Sequence, residues 1–138
     1  MNHIQSILQT HPNPALSIDA SLLAECAESC LQCVSVCTAC ADACLEEEMV
    51  ADLTECIRTD LDCADVCAAT ASIFSRQSKP SMELLRAQLE ACATACKTCG
   101  DSCAEHKDMH EHCRVCMECC RETEEVCNRL LQQMKQAA

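Results

Sequence analysis

At 138 residues the chain is expected to form one domain with a core of its own. One Phe, no Trp and no Tyr remove the usual large apolar fillers, while one Gly and three Pro leave few turns; this excludes a many-stranded β fold and favours a few long helices. A formal net charge of −12 without a basic stripe excludes nucleic acid as a partner, because phosphates would be repelled; an acidic surface instead keeps the chain dissolved and gathers cations.

The segment 1–17 holds a weak amphipathic turn or two, marked by Ile4, Ile7 and Leu8, and is stopped by Pro12 and Pro14. It lacks a basic n-region, an apolar core and a small-residue cleavage site, so it does not read as a secretory signal. No apolar run approaches the roughly 18 residues of a membrane span. A cytoplasmic protein is therefore expected, with no membrane partner. In that reducing compartment cysteine-rich chains are more often metal binders than disulfide scaffolds.

The first long helix is predicted over about 18–47, with Ser17 or Asp19 as its cap. It carries Cys26, Cys30, Cys33, Cys37, Cys40 and Cys44 at steps of 4, 3, 4, 3 and 4. That is the spacing of a helix seam, where Leu, Ile or Val would ordinarily face the core. The second helix, about 51–75, opens on a candidate capping box, Asp52-x-x-Glu55, and its seam reads Cys56, Asp60, Cys63, Cys67. A polar linker, Arg76 to Pro80, precedes the third helix, about 81–106, with Cys92, Cys96, Cys99 and Cys103. A second candidate box, Asp108-x-x-Glu111, opens the fourth, about 109–135, with Cys113, Cys116, Cys120 and Cys127 in register and Cys119 one step off.

Short connections between long helices imply antiparallel neighbours, so the fold class is all-α: an antiparallel up-down-up-down four-helix bundle with a short N-terminal helical segment. Folding the first pair about residue 49 sets Cys44 by Cys56, Cys37 by Cys63 and Cys33 by Cys67. Folding the second about residue 108 sets Cys103 by Cys113 and Cys96 by Cys120. One end then holds an apolar plug of Leu23, Phe74, Leu85, Leu89 and Leu130. The other is a polar mouth with Met49, His106, Met109, His110 and His112 among Glu46, Glu47, Glu48, Glu105, Asp108 and Glu111.

One buried cysteine is ordinary packing, but eighteen at seam spacing are not, since each is an oxidation liability and a poor filler. Disulfides between i, i+3 and i, i+4 neighbours would be strained and redundant. Iron–sulfur cysteines gather in fours on loops, whereas these run along about 30 Å of helix. Zinc is a competitor, yet tetrahedral thiolate sites on the order of six ions would leave uncompensated negative charge in the core. Cu(I) is soft, accepts two sulfurs and, at about one ion per thiolate, leaves the core neutral because each ion replaces a proton.

These seams, Cys-x3-Cys-x2-Cys repeated along several helices with clustered histidines at one end, resemble the bacterial cytosolic copper storage protein family over essentially the whole chain. The resemblance implies a non-catalytic bundle that fills its core with multiple Cu(I) ions, supplied by copper-donating chelators or chaperones, in a homotetramer. It implies the seam cysteines as ligands and His106, His110 and His112 as ligands where copper comes in; histidine there, beside Met49 and Met109, fits the cytosolic form. Asp60 reads either as an oxygen ligand or supporting group, or as a solvent-facing residue of a frayed seam. Thr70 and Thr123 read as packing, His3 and His11 as surface residues, Met1, Met82 and Met134 as packed or frayed ends, and the Glu46–Glu48 run as a solvated turn. Gly100 reads as a close helix approach or as simply tolerated. The alternatives are a Zn/Cd sequestration protein, or a thiol redox protein with a privileged pair such as Cys116 and Cys119. No residue constellation demands an enzyme.

Overall fold

The structure is a computed structural model that describes residues 2–14 and 16–137; Met1 lies outside the described residues. Its elements are α1 (His3–Gln9), α2 (Ala20–Leu45), a 3-10 helix (Val50–Leu53), α3 (Thr54–Phe74), α4 (Met82–Ala104) and α5 (Glu111–Ala137). Helices α2 and α4 each pack on both α3 and α5, which closes a ring of four around one core, and α1 lies on α2.

Local chemistry sets most of the helix starts. The Asn2 side chain accepts the Gln5 N–H and opens α1, Asp19 accepts that of Ser21 and opens α2, and Ser81 accepts that of Leu84 and opens α4. Pro80 stands just outside that last cap. The two expected capping boxes are not used. Asp52 lies inside the 3-10 helix, whose tighter turn brings its N–H to the Met49 carbonyl at 2.9 Å, and α3 begins with no side-chain cap. Asp108 lies in the α4–α5 turn, where the His106 carbonyl receives the N–H groups of Met109 and His110 and the His110 carbonyl receives those of Cys113 and Arg114. Backbone groups close both turns, so the carboxylates are not needed there.

The linker is more firmly held than its composition suggests. Gln77 is buried and its amide donates to the Leu8 carbonyl at 3.0 Å, while half-buried His11 meets Ser78 Oγ at 3.0 Å. Lys79 takes the left-handed conformation, φ 46°, that turns the chain into α4. These contacts seat α1 beside the apolar end, where Leu8, Leu16, Ile18, Leu22, Leu23, Phe74, Leu85, Leu89, Leu130 and Met134 are buried. A smaller apolar anchor, Leu53, is buried under the α2–α3 turn.

Helix α2 departs from one expectation. Among the described residues it is the one helix long and apolar enough, by length and composition, to cross a membrane, with a mean hydropathy of 1.2 over 18 residues. Six of its apolar side chains are the seam cysteines, and all six are buried among α3, α4 and α5. The fully buried Phe74 and Leu89 supply apolar contact that small thiols cannot. Phe74→Ala is expected to destabilise the metal-free protein by about 3–5 kcal/mol, measured as a lowered urea midpoint with helix content retained at zero urea.

Candidate metal centre

All eighteen cysteines are free thiols and all are buried, including Cys119, which stands one step off its seam. They form a continuous ladder. At the apolar end Cys26 neighbours Cys127 and Cys30, and Cys30 Sγ lies 3.9 Å from Cys92. Cys67 is 3.8 Å from both Cys92 and Cys96, and Cys63 is 3.8 Å from Cys96 and 3.9 Å from Cys33. Cys120 stands 3.7 Å from Cys37 and 3.9 Å from Cys33, with Cys119 directed at Cys33. Cys116 lies 3.7 Å from Cys37, and Cys56 lies 3.4 Å from Cys103.

Successive rungs share members. Cys33, Cys63, Cys67 and Cys96 bring their sulfurs within 4.8 Å of one another; so do Cys33, Cys37, Cys63 and Cys120, then Cys37, Cys99, Cys116 and Cys120, and lastly Cys40, Cys44, Cys56 and Cys113. The three expected α2–α3 pairs each fall within one such rung. Between α4 and α5, Cys103 shares a rung with Cys116, and Cys99 shares one with Cys120, two pairings not expected from the sequence. These two pairs centre the reversal between Met109 and His110, within the turn that closes on the His106 carbonyl.

Asp60 sits inside this ladder. It is fully buried, which removes the reading of a frayed, solvent-facing seam. Its Oδ1 accepts from the thiols of Cys99 at 3.0 Å, Cys116 at 3.2 Å and Cys103 at 3.5 Å, while Oδ2 has no partner. With Cys40, Cys103 and Cys116 it completes a mixed oxygen–sulfur rung. Burial, followed by the surrounding sulfurs, pushes its pKa up to about 12, so the carboxyl is neutral in the metal-free protein. Burial likewise pushes the Cys44 thiol up to about 12. Removal from water works against the charged form of every donor in the ladder, while sulfur–sulfur hydrogen bonds favour the thiolate at some positions, Cys33 and Cys99 among them, and the thiol at others, such as Cys37 and Cys103.

Thr70 and Thr123 close their own hydrogen bonds, to the Val66 and Cys119 carbonyls, and act as packing. Gly100 gives room to a side chain rather than a helix: a Cβ there would stand 3.0 Å from the Arg121 guanidinium, which pairs with Asp101.

At the mouth the structure joins two of the three expected histidines through a residue read as part of a solvated turn. Glu47 Oε2 lies 3.0 Å from His110 Nδ1 and 2.8 Å from His112 Nε2, and the two rings stack at 5.6 Å. His112 Nδ1 faces inward, 3.4 Å from Cys40 Sγ and 3.7 Å from Cys113 Sγ. Desolvation works against the His112 imidazolium, but Cys40 and Glu47 outweigh it and hold the ring above its ordinary pKa. His106 is half-buried, and its described hydrogen bonds are made by its backbone: the N–H donates to the Cys103 carbonyl and the carbonyl accepts from Met109 and His110. Met49 and Met109 are exposed. Cys40 and His112 also line a groove of about 460 Å³ between α2 and α5, with Val36, Ala39, Ala43 and Val115.

Residues 19–132 match the Csp, or copper storage protein, family. The chain belongs to that family. A solved copper storage protein, Ccsp, from Streptomyces lividans, loaded with 10 copper equivalents, superposes with a TM-score of 0.92 at 54% identity, covering 94% of this chain and 98% of that one. A structure of a cytosolic copper storage protein from the same organism with five coppers gives 0.80 at 59% identity, covering 81% and 93%. An uncharacterized cysteine-rich protein, YhjQ, of Bacillus subtilis strain 168 is 36% identical over 91 residues, 66% of this chain and 79% of its own length.

Glu47 was not recoverable from the sequence, because three consecutive glutamates in a turn carry no signal of which one folds back. Asp60 was recoverable only as a gap in a periodic row. Its neutral state makes a measurable statement about stability. The unfolded chain sheds the Asp60 proton near 3.8 whereas the folded chain keeps it to about 12, so this group's contribution to stability falls as pH rises through that window. Asp60→Asn, which is neutral at every pH, is expected to be more stable than the parent metal-free protein at pH 7.5. The gain should shrink towards pH 5, by at most about 1.4 kcal/mol per pH unit. Urea melts at the two pH values check this, and a pH-independent difference would contradict a neutral Asp60.

Proposed function

We propose that this chain is a cytosolic Cu(I) store rather than an enzyme: its four long helices form an antiparallel up-down-up-down bundle whose core binds many ions through the seam cysteines. The observation that carries the reading is the ladder, in which neighbouring rungs share thiols from one end of the core to the other. A sulfur that belongs to two rungs suits a metal content with two soft ligands and bridged by thiolates. The ligand set we propose is the eighteen cysteines with Asp60 in the mixed rung, and copper comes in past His106, His110 and His112. Copper-donating chelators or chaperones would meet it there.

Charge decides between copper and zinc. Burial penalises net charge in the core, and a Cu(I) that displaces one thiol proton leaves that charge unchanged. A divalent ion held by four thiolates would bury a net negative charge at every site. The redox alternative loses its privileged pair, since Cys116 contacts Cys37 and Asp60 while Cys119 is directed at Cys33. A homotetramer is part of the proposal; the exposed Leu31, Leu61 and Val115 are apolar surface that partner copies would cover.

Titrating reduced protein with Cu(I) against a competing chelator is expected to plateau near one ion per thiolate, roughly 15–20 per chain if each thiolate bridges two digonal ions. A plateau at four or fewer would refute storage. Circular dichroism is expected to show the same helix content before and after loading, because register and the apolar end, not metal, hold the helices.

Replacing His106, His110 and His112 together by non-ligating residues is expected to slow uptake while leaving most of the capacity. In the parent protein uptake should slow as pH falls, since imidazolium cannot ligate. Because His112 is held above its ordinary pKa, its share of that loss begins above about 6.5. Stopped-flow uptake across pH checks both statements, and an unchanged profile in the triple variant would place the path elsewhere.

A further inference from the structure

The contact between the α2–α3 turn and the start of α5 converges on a single oxygen. Glu47 Oε2 meets His110 Nδ1 and His112 Nε2, on two rings that lie nearly parallel, 15° apart. Glu47 is hydrogen-bonded to His112 Nε2 and stands 3.0 Å from His110 Nδ1. A carboxylate oxygen accepts a proton but repels a ring lone pair at that distance, so in the neutral rings both protons lie on the nitrogens that face Glu47. Each ring is then left with one lone pair, on a different kind of nitrogen. For His110 it is Nε2, which is buried and has no hydrogen-bond partner. For His112 it is Nδ1, which faces Cys40 and Cys113, two of the four sulfurs in the rung with Cys44 and Cys56. Without the carboxylate, His112 would be free to carry its proton on Nδ1 and donate to Cys40, and its lone pair would point away from the core.

We propose that Glu47 is a positioning residue for copper uptake: it fixes opposite tautomers in His110 and His112, so that His110 Nε2 takes up Cu(I) and His112 Nδ1 passes it to Cys40 and Cys113. Carboxylates that orient ligating imidazoles are a general device of metal sites. Here one carboxylate orients two rings at once. Glu47 reaches them from a different part of the chain, with its side chain still 31% exposed. This inference rests on the copper-store reading, and its test separates the two.

Three measurements on the full-length reduced protein decide it: the protonated nitrogen of each ring by long-range proton–nitrogen correlation in the metal-free state, initial uptake from a chromophoric Cu(I)–chelator complex, and total copper bound. The parent protein is expected to show His110 protonated at Nδ1 and His112 at Nε2. Glu47→Ala should give mixed tautomers and uptake about 10–100-fold slower with capacity unchanged, whereas Glu47→Gln, whose amide oxygen still accepts, should stay within about threefold of the parent. Both variants lose the same charge, so a difference between them reports the acceptor and not the field. Parent uptake in Glu47→Ala, equal slowing in both variants, or the opposite tautomers in the parent would each overturn the proposal. A parent capacity of four ions or fewer would overturn the storage reading and this inference with it; full capacity with unaltered Glu47→Ala uptake would overturn this inference alone.

Discussion

Everything in this molecule follows from filling a protein core with groups that must remain uncharged until metal arrives. A buried thiolate without a partner is costly, and eighteen of them would be prohibitive. The structure meets that constraint by excluding water from the ladder, which favours the protonated thiol, and by letting sulfurs meet chiefly other sulfurs at 3.4–3.9 Å. A monovalent soft cation exchanges for a proton without changing the charge of the core. The same aversion to buried charge that the empty core must satisfy therefore bears on which cation can fill it.

Small thiols give little apolar contact, so holding the helices together falls to the ends. Phe74, Leu23, Leu89 and Leu130 close one end, reinforced by α1 and by Gln77 reaching across to the Leu8 carbonyl. Leu53 anchors the other beneath the α2–α3 turn. This division leaves the middle of the core free to be ligand rather than filler. It also explains why α2 has the composition of a membrane span while its sulfur face lies in a protein interior.

The mouth obeys a different logic. There carboxylates and imidazoles are half-exposed, ionic contacts cross from one helix end to another, and His112 bridges the two environments with one nitrogen on Glu47 and the other on Cys40. Asp60 extends this mixed chemistry one rung deeper, where its oxygen gathers three thiols and its second oxygen is left without a partner. Oxygen and nitrogen donors thus gather at this end of the ladder, while the rungs that join Cys33, Cys63, Cys67 and Cys96, and Cys33, Cys37, Cys63 and Cys120, are sulfur alone.

The sequence by itself determined which side chains go inside. Steps of three and four residues set Cys26 to Cys44 on one stripe of α2, and the same spacing fixed the stripes of α3, α4 and α5, because a helix repeats every 3.6 residues whatever its neighbours are. It also determined the α2–α3 pairing, since that reversal is short and its centre could be counted. Tertiary structure decided what depends on how a turn is wound and on which distant groups meet. The α4–α5 turn closes on the His106 carbonyl, and Cys103 shares a rung with Cys116; Asp52 is displaced from its capping position by a 3-10 turn; Glu47, and not Glu46 or Glu48, folds back to the histidines. Periodicity is a local property that every residue of a helix carries. Turn geometry and contacts across 65 residues of chain exist only once the helices have packed.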